Sequence, residues 1–247
     1  MCPLVDFNYN NYKLFGGNFN LIYIMKSIKS IPFVLFISGV PCVGKTTISY
    51  KLLEEFPFFK RITELDIIKT CIRSLIKENN LQDKNENYKC LFESTTESDF
   101  ATFKEQAKVL YNHIKCIVVR QKKRCIPTII EGINIVPSIY FDNYIPKEGF
   151  KKNVLFINFY ISDENEHFRR RLERCQDRNY SLQESIIKEK IINYTEKNKM
   201  LHEETLELSK KVDNVFSLDI SELDISQVVE IIKNITTNYI NKHLIII

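Results

Sequence analysis

The chain of 247 residues has no tryptophan, three methionines and only six glycines. So little glycine excludes collagen-like repeats and flexible low-complexity linkers. Long hydrophobic runs are missing too. "FVLFI" at 33–37 falls far short of the roughly 18 apolar residues that a spanning helix needs, so no membrane partner is expected. Neither sign of charge prevails. Thirty-five Lys and Arg against 31 Asp and Glu leave +4, too mild a balance to argue for nucleic acid. The seven cysteines show no C-x-x-C and no Cys/His ligand spacing, so neither a zinc site nor a disulfide framework is indicated. Dispersed thiols suit a reducing compartment, so a cytoplasmic location is expected. The first 25 residues lack the basic start and apolar core of a signal peptide. Rich in Asn and Tyr, residues 1–30 read as a poorly ordered extension before one domain at 31–247, and Met25 is a candidate start.

What is present is alternation. Apolar, β-branched runs at 33–38, 60–65, 127–132, 153–161 and 214–219 predict strands. Between them the spacing predicts helices over 46–56, from Asp66 to about Lys77, over 97–124, from Ser162 as N-cap, over 182–211 and from Ile225 onward. The polar stretch 77–89 reads as a surface loop. Strands separated by helices imply right-handed crossovers, hence an α/β fold with a five-stranded parallel sheet covered on both faces. In such sheets ligands bind beyond the carboxyl ends of the strands.

Behind the first strand stands "GVPCVGKT", a match to G-x-x-x-x-G-K-[ST] with a strand before it and a helix after. Gly39, Val40, Pro41, Cys42, Val43, Gly44, Lys45, Thr46 and Thr47 form a candidate phosphate cradle of backbone N–H groups. Lys45 supplies charge for β- and γ-phosphates, and the Thr46 hydroxyl is a candidate Mg²⁺ ligand. After the second strand come Asp66, Lys69 and Arg73, on one face of a helix. Asp66 is a candidate base for an acceptor hydroxyl, with Lys69 and Arg73 holding an anionic part of that acceptor. The bland alternative is an N-capping Asp on a solvated basic face. Glu131 ends the third strand, where an acid can hold a magnesium-bound water. "HFRRRLERCQDR" carries Arg170 and Arg174 four apart on one helical face, fit for phosphate oxygens on a closing lid at about 162–180. A salt-bridged surface helix is the competing reading. His167 lies near this chemistry without any motif that makes it a base.

These pieces resemble the P-loop kinases, and within them the 2-phosphoglycerate kinase-like group. The resemblance rests on "SGVPCVGKTTIS", "ITELDIIKTCIRSL", "TIIEGINIVP" and "FYISDENEHFRRRLERC" with the "RNY" that follows, across roughly Ile31 to Ile232. It implies a nucleoside-monophosphate-kinase-like fold with a helical lid, ATP and Mg²⁺ as cofactors, and phosphoryl transfer to a hydroxyl of a small anionic metabolite. It further implies a nucleotide loop at Gly39–Thr47, Asp66 and Arg73 on the acceptor side, lid arginines Arg170 and Arg174, and 2-phosphoglycerate as the first acceptor candidate. Asn134 departs from the family, which usually has histidine there. A zeta-toxin-like nucleotide-sugar kinase and a non-enzymatic nucleotide switch remain as alternatives.

Overall fold

In the computed structural model, residues 32–81, 86–95, 98–142, 153–177 and 184–243 are described. They belong to one unit, Ile31–Ile247; the expectations for residues 1–30 and for Arg178 to Tyr180 lie outside them. Five strands form the sheet: β1 (Val34–Ser38), β2 (Arg61–Glu64), β3 (Thr128–Glu131), β4 (Val154–Tyr160) and β5 (Val215–Asp219). All neighbours are parallel, in the order β2-β3-β1-β4-β5. This is an α/β architecture with a five-stranded, wholly parallel sheet, as the alternation of strands and helices predicts. The helices are α1 (Lys45–Glu55), α2 (Leu65–Glu78), α3 (Phe100–Lys123), α4 (Pro137–Asp142), α5 (Glu164–Asp177), α6 (Glu184–Ser209) and α7 (Ile225–His243).

Every residue of central β1 is buried, as it must be when both faces of a parallel strand are covered. Edge strand β2, "RITE", is half exposed, which explains its weak apolar signal. One end of the core is an aromatic cluster, where Phe33 meets Phe58 at 5.5 Å and Phe58 meets Phe59 at 5.2 Å between ring centroids. Among the described residues no helix is long and apolar enough to cross a membrane.

Three local expectations change. The stretch read as a loop carries a 3-10 turn, Glu86–Phe92, because Leu91 is fully buried. The short helix α4 went unpredicted; six residues give periodicity too little length to register. Ser162 does not cap α5. Asp163 does: its carboxylate accepts from the Asn165 amide at 2.8 Å and its carbonyl from the His167 amide at 3.0 Å, while the Ser162 hydroxyl pairs with that of Ser221.

Candidate active site

The loop between β1 and α1 turns where its glycines allow. Gly39 has φ +142°, and a Cβ there would stand 2.8 Å from the Phe159 carbonyl oxygen. Only a residue without a side chain fits that approach. At the far end Gly44 occupies the N-cap position of α1, so the first N–H groups of α1 lack intrahelical partners and face the loop. Such a terminus receives anions.

Lys45, the first residue of α1, is 8% exposed. Its Nζ donates to the Val40 carbonyl at 3.0 Å. Burial pulls its pKa below the usual lysine range, opposed by the charges of Glu131 and Asp66. The Thr46 hydroxyl donates to Glu131 Oε1 at 2.6 Å. Glu131 is itself buried, and burial pushes its carboxyl up against the pull of Lys45 and of the Thr46 hydrogen bond. A hydroxyl held against a carboxylate keeps oxygen lone pairs for a hard cation, which takes oxygen ligands and keeps several waters. This donor set fits Mg²⁺.

Asp66 joins this group through a close contact between backbone elements. Glu131 pairs in register with Glu64 of β2, and the next residue, Gly132, would place a Cβ 2.5 Å from Leu65 Cβ. The missing side chain lets the start of α2 lie against the end of β3. Asp66 therefore lines the same cleft as Lys45, Thr46 and Glu131, a space of about 270 Å³. The N-cap position of α2 belongs to Glu64, so Asp66 is not a cap.

The opposite wall comes from α5 and α6, through Arg171, Arg174, Cys175 and Tyr194. Sequence periodicity nominated Arg170 and Arg174; the structure separates that pair. Arg174 lines the cleft. Arg170 does not: its Nε donates to Glu166 at 2.6 Å and its Nη2 to the Ile220 carbonyl at 2.7 Å. An acid one turn back captures it, as i, i+4 partners do. Arg171, missed from the sequence, takes the place at the cleft. Among the described residues the hydrogen-bond partner of both cleft arginines is the Cys42 sulfur, at 3.7 Å from Arg171 and 3.9 Å from Arg174. Sulfur is a weak acceptor, and the buried Arg171 Nε has no hydrogen-bond partner among the described residues. Two guanidinium groups thus converge on the loop with their donors largely unspent.

The structure also moves Lys69 and Arg73 away from the cleft. Lys69, 4% exposed, donates to Thr95 Oγ1 at 2.6 Å, Gln106 Oε1 at 2.7 Å and Asn134 Oδ1 at 3.3 Å. Three acceptors use all three ammonium protons. Arg73 donates to the carbonyls of Leu91 and Glu93. Both side chains pin residues 91–95 onto α2, and their expected role in holding an acceptor is withdrawn.

No family model matches the chain. A 2-phosphoglycerate kinase from Methanothermobacter thermautotrophicus is 22% identical over 152 residues, which are 59% of this chain and 48% of that protein. The chain thus matches about half the length of this curated relative. Among solved structures, a shikimate kinase from Bacteroides thetaiotaomicron is 13% identical with a TM-score of 0.43, over 83% of this chain and 98% of that one. A gluconokinase from Sinorhizobium meliloti 1021 is 11% identical with a TM-score of 0.43, over 87% and 99%.

Proposed function

We propose that this protein is an ATP- and Mg²⁺-dependent kinase that transfers a phosphoryl group to a hydroxyl of a small anionic metabolite, in a cytoplasmic setting. One observation carries the reading. Lys45, the Thr46–Glu131 pair, Asp66 and two unspent arginines meet around a single cleft at the carboxyl ends of the strands.

Mg²⁺–ATP supplies the phosphoryl group and neutralises charge on it. The chain supplies position and electrostatics. The loop from Gly39 to Thr47 cradles phosphate oxygens with its N–H groups. Lys45 would neutralise charge on the β- and γ-phosphates, and Thr46 with Glu131 would hold the metal. Asp66 accepts the proton of the acceptor hydroxyl. Arg171 and Arg174 take the charge that gathers on the transferring group and exclude water from it. Cleft cations outnumber carboxylates, with Lys45, Arg171 and Arg174 against Asp66 and Glu131. That surplus suits the phosphates of the nucleotide, and it is the resemblance to 2-phosphoglycerate kinase that makes an anionic acceptor, 2-phosphoglycerate first, the one to test.

The test is an acceptor screen by ATP consumption, with product masses measured. The expected result is turnover with small anionic hydroxy compounds and a product heavier by one phosphoryl group. A screen won by neutral sugars overturns the anionic acceptor. One won by a nucleotide sugar favours the zeta-toxin-like reading. Nucleotide binding without acceptor-dependent turnover points to a switch.

A further inference from the structure

His167 is a buried ionisable side chain that the proposed chemistry leaves unused. It sits on α5 at 1% exposure, and its Nε2 lies 2.8 Å from the Pro41 carbonyl oxygen, 126 positions away in the chain. A carbonyl oxygen only accepts, so Nε2 carries a proton whatever the charge on the ring. Burial, with Arg170, Lys45 and Arg171 adding to it, pulls the imidazole pKa below its usual value against the pull of the Pro41 hydrogen bond.

The acceptor of that bond is the informative part. Pro41 and Cys42 share one trans peptide plane, in which C=O and N–H point in opposite directions. Fixing the carbonyl toward α5 therefore aims the Cys42 N–H away from α5. Cys42 has φ +69°, a left-handed conformation that a residue with a side chain seldom holds without outside support. Three side chains of α5 give it: His167 through the carbonyl, and Arg171 and Arg174 through the Cys42 sulfur. They stand at i, i+4 and i+7, which share a helical face.

We propose that His167 is a positioning residue that locks the Pro41–Cys42 peptide in the orientation the loop adopts and sets Arg171 and Arg174 over the cleft. Loop shape and arginine placement are then one mechanical unit, because a single helix face controls both. The inference rests on the reading of the loop as a nucleotide site, and Lys45→Ala tests that reading separately.

The experiment titrates ADP into the full chain by calorimetry, for wild type, His167→Met, His167→Gln and Lys45→Ala, with the melting temperature of each. Methionine keeps bulk and removes the donor; glutamine restores a side-chain N–H. His167→Met is expected to weaken ADP binding by roughly ten-fold or more with little change in melting, and His167→Gln to recover most of that loss. Wild-type-like ADP affinity in His167→Met overturns the proposal. So does a well-folded His167→Gln that binds as poorly as His167→Met. If Lys45→Ala leaves ADP binding intact, the nucleotide reading fails and takes this inference with it. If Lys45→Ala weakens binding and His167→Met does not, only this inference fails. Should the His167 variants not fold, the ¹⁵N spectrum of the wild-type imidazole decides. It must show the proton on Nε2, and an Nδ1–H tautomer overturns the proposal.

Discussion

Among the described residues three lysines are almost fully buried, Lys45, Lys69 and Lys197, and burial depresses the pKa of each; Lys45 and Lys69 make the instructive pair. Their surroundings differ. Lys69 is ringed by neutral oxygens from Thr95, Gln106 and Asn134, with each proton spent. Lys45 makes one bond to a loop carbonyl and stands beside two carboxylates on the wall of a cleft. A satisfied ammonium locks elements together. One with protons to spare, facing a cavity edged by unspent arginines, is arranged for an anion that arrives later. Burial alone does not separate structure from function; the use of the donors does.

The sharpest way to break this contrast is to remove each charge. Lys45→Ala should lower phosphoryl transfer by about 10³–10⁵-fold, the range a cation on the transferring group commands, without loss of melting temperature. Lys69→Met should do the reverse, losing stability as residues 91–95 come off α2. If steady-state rates and melting curves show the opposite pattern, the two lysines have been assigned the wrong way round.

Asp66→Asn comes next. The amide is nearly isosteric but a poor base, so kcat should fall by about 10²–10⁴-fold while calorimetric ADP affinity holds. An unchanged kcat makes Asp66 a bystander on the cleft wall. Among the lid arginines the same donor rule applies within one helix. Arg171→Ala and Arg174→Ala should each cost kcat roughly 10²-fold, as lost charge stabilisation does. Arg170→Ala should mainly loosen the contact with Glu166 and Ile220 and be read in melting. Equal kinetic losses in all three would erase the distinction between spent and unspent guanidinium groups.

Much of this was legible in the sequence, for reasons that particular residues make plain. The cradle from Gly39 to Thr47 is contiguous, so one pattern carries it. The five strands announce themselves as β-branched runs, with only β2 blurred by its edge position. The convergence of Asp66 with Glu131 needed Gly132, whose missing Cβ matters only once Leu65 is known to press against it. Helical period placed Arg170 and Arg174 on one face, yet it cannot say that Glu166 captures Arg170 and leaves the cleft to Arg171. It likewise grouped Lys69 with Arg73 correctly, without knowing what that face meets. The answer was residues 91–95, which fall between the loop read at 77–89 and the helix read from 97 and carry too short an apolar run for periodicity to reveal their buried anchor, Leu91.

The smallest predicted effect concerns the structural lysine alone, through pH. In the unfolded chain Lys69 titrates near 10.5, and burial brings it down to about 8 in the folded protein. Below pH 8 both states carry the proton, and the folded state bears the full cost of a buried charge. Between about 8 and 10.5 the unfolded state keeps the proton that the folded state has released. More protons bound to the unfolded chain mean that stability rises with pH across this window. The shift, 10.5 minus 8, corresponds to at most roughly 3 kcal/mol, somewhat less in practice because a neutral amine has only two N–H donors for its three oxygens. Other titrations, Lys122 included, occur in wild type and Lys69→Met alike and cancel in their difference. Urea unfolding of the two proteins at pH 7.5 and pH 10 should therefore show wild type gaining on the variant as pH rises. Parallel pH dependence would mean that Lys69 carries no desolvated charge, and the contrast with Lys45 would lose its second member.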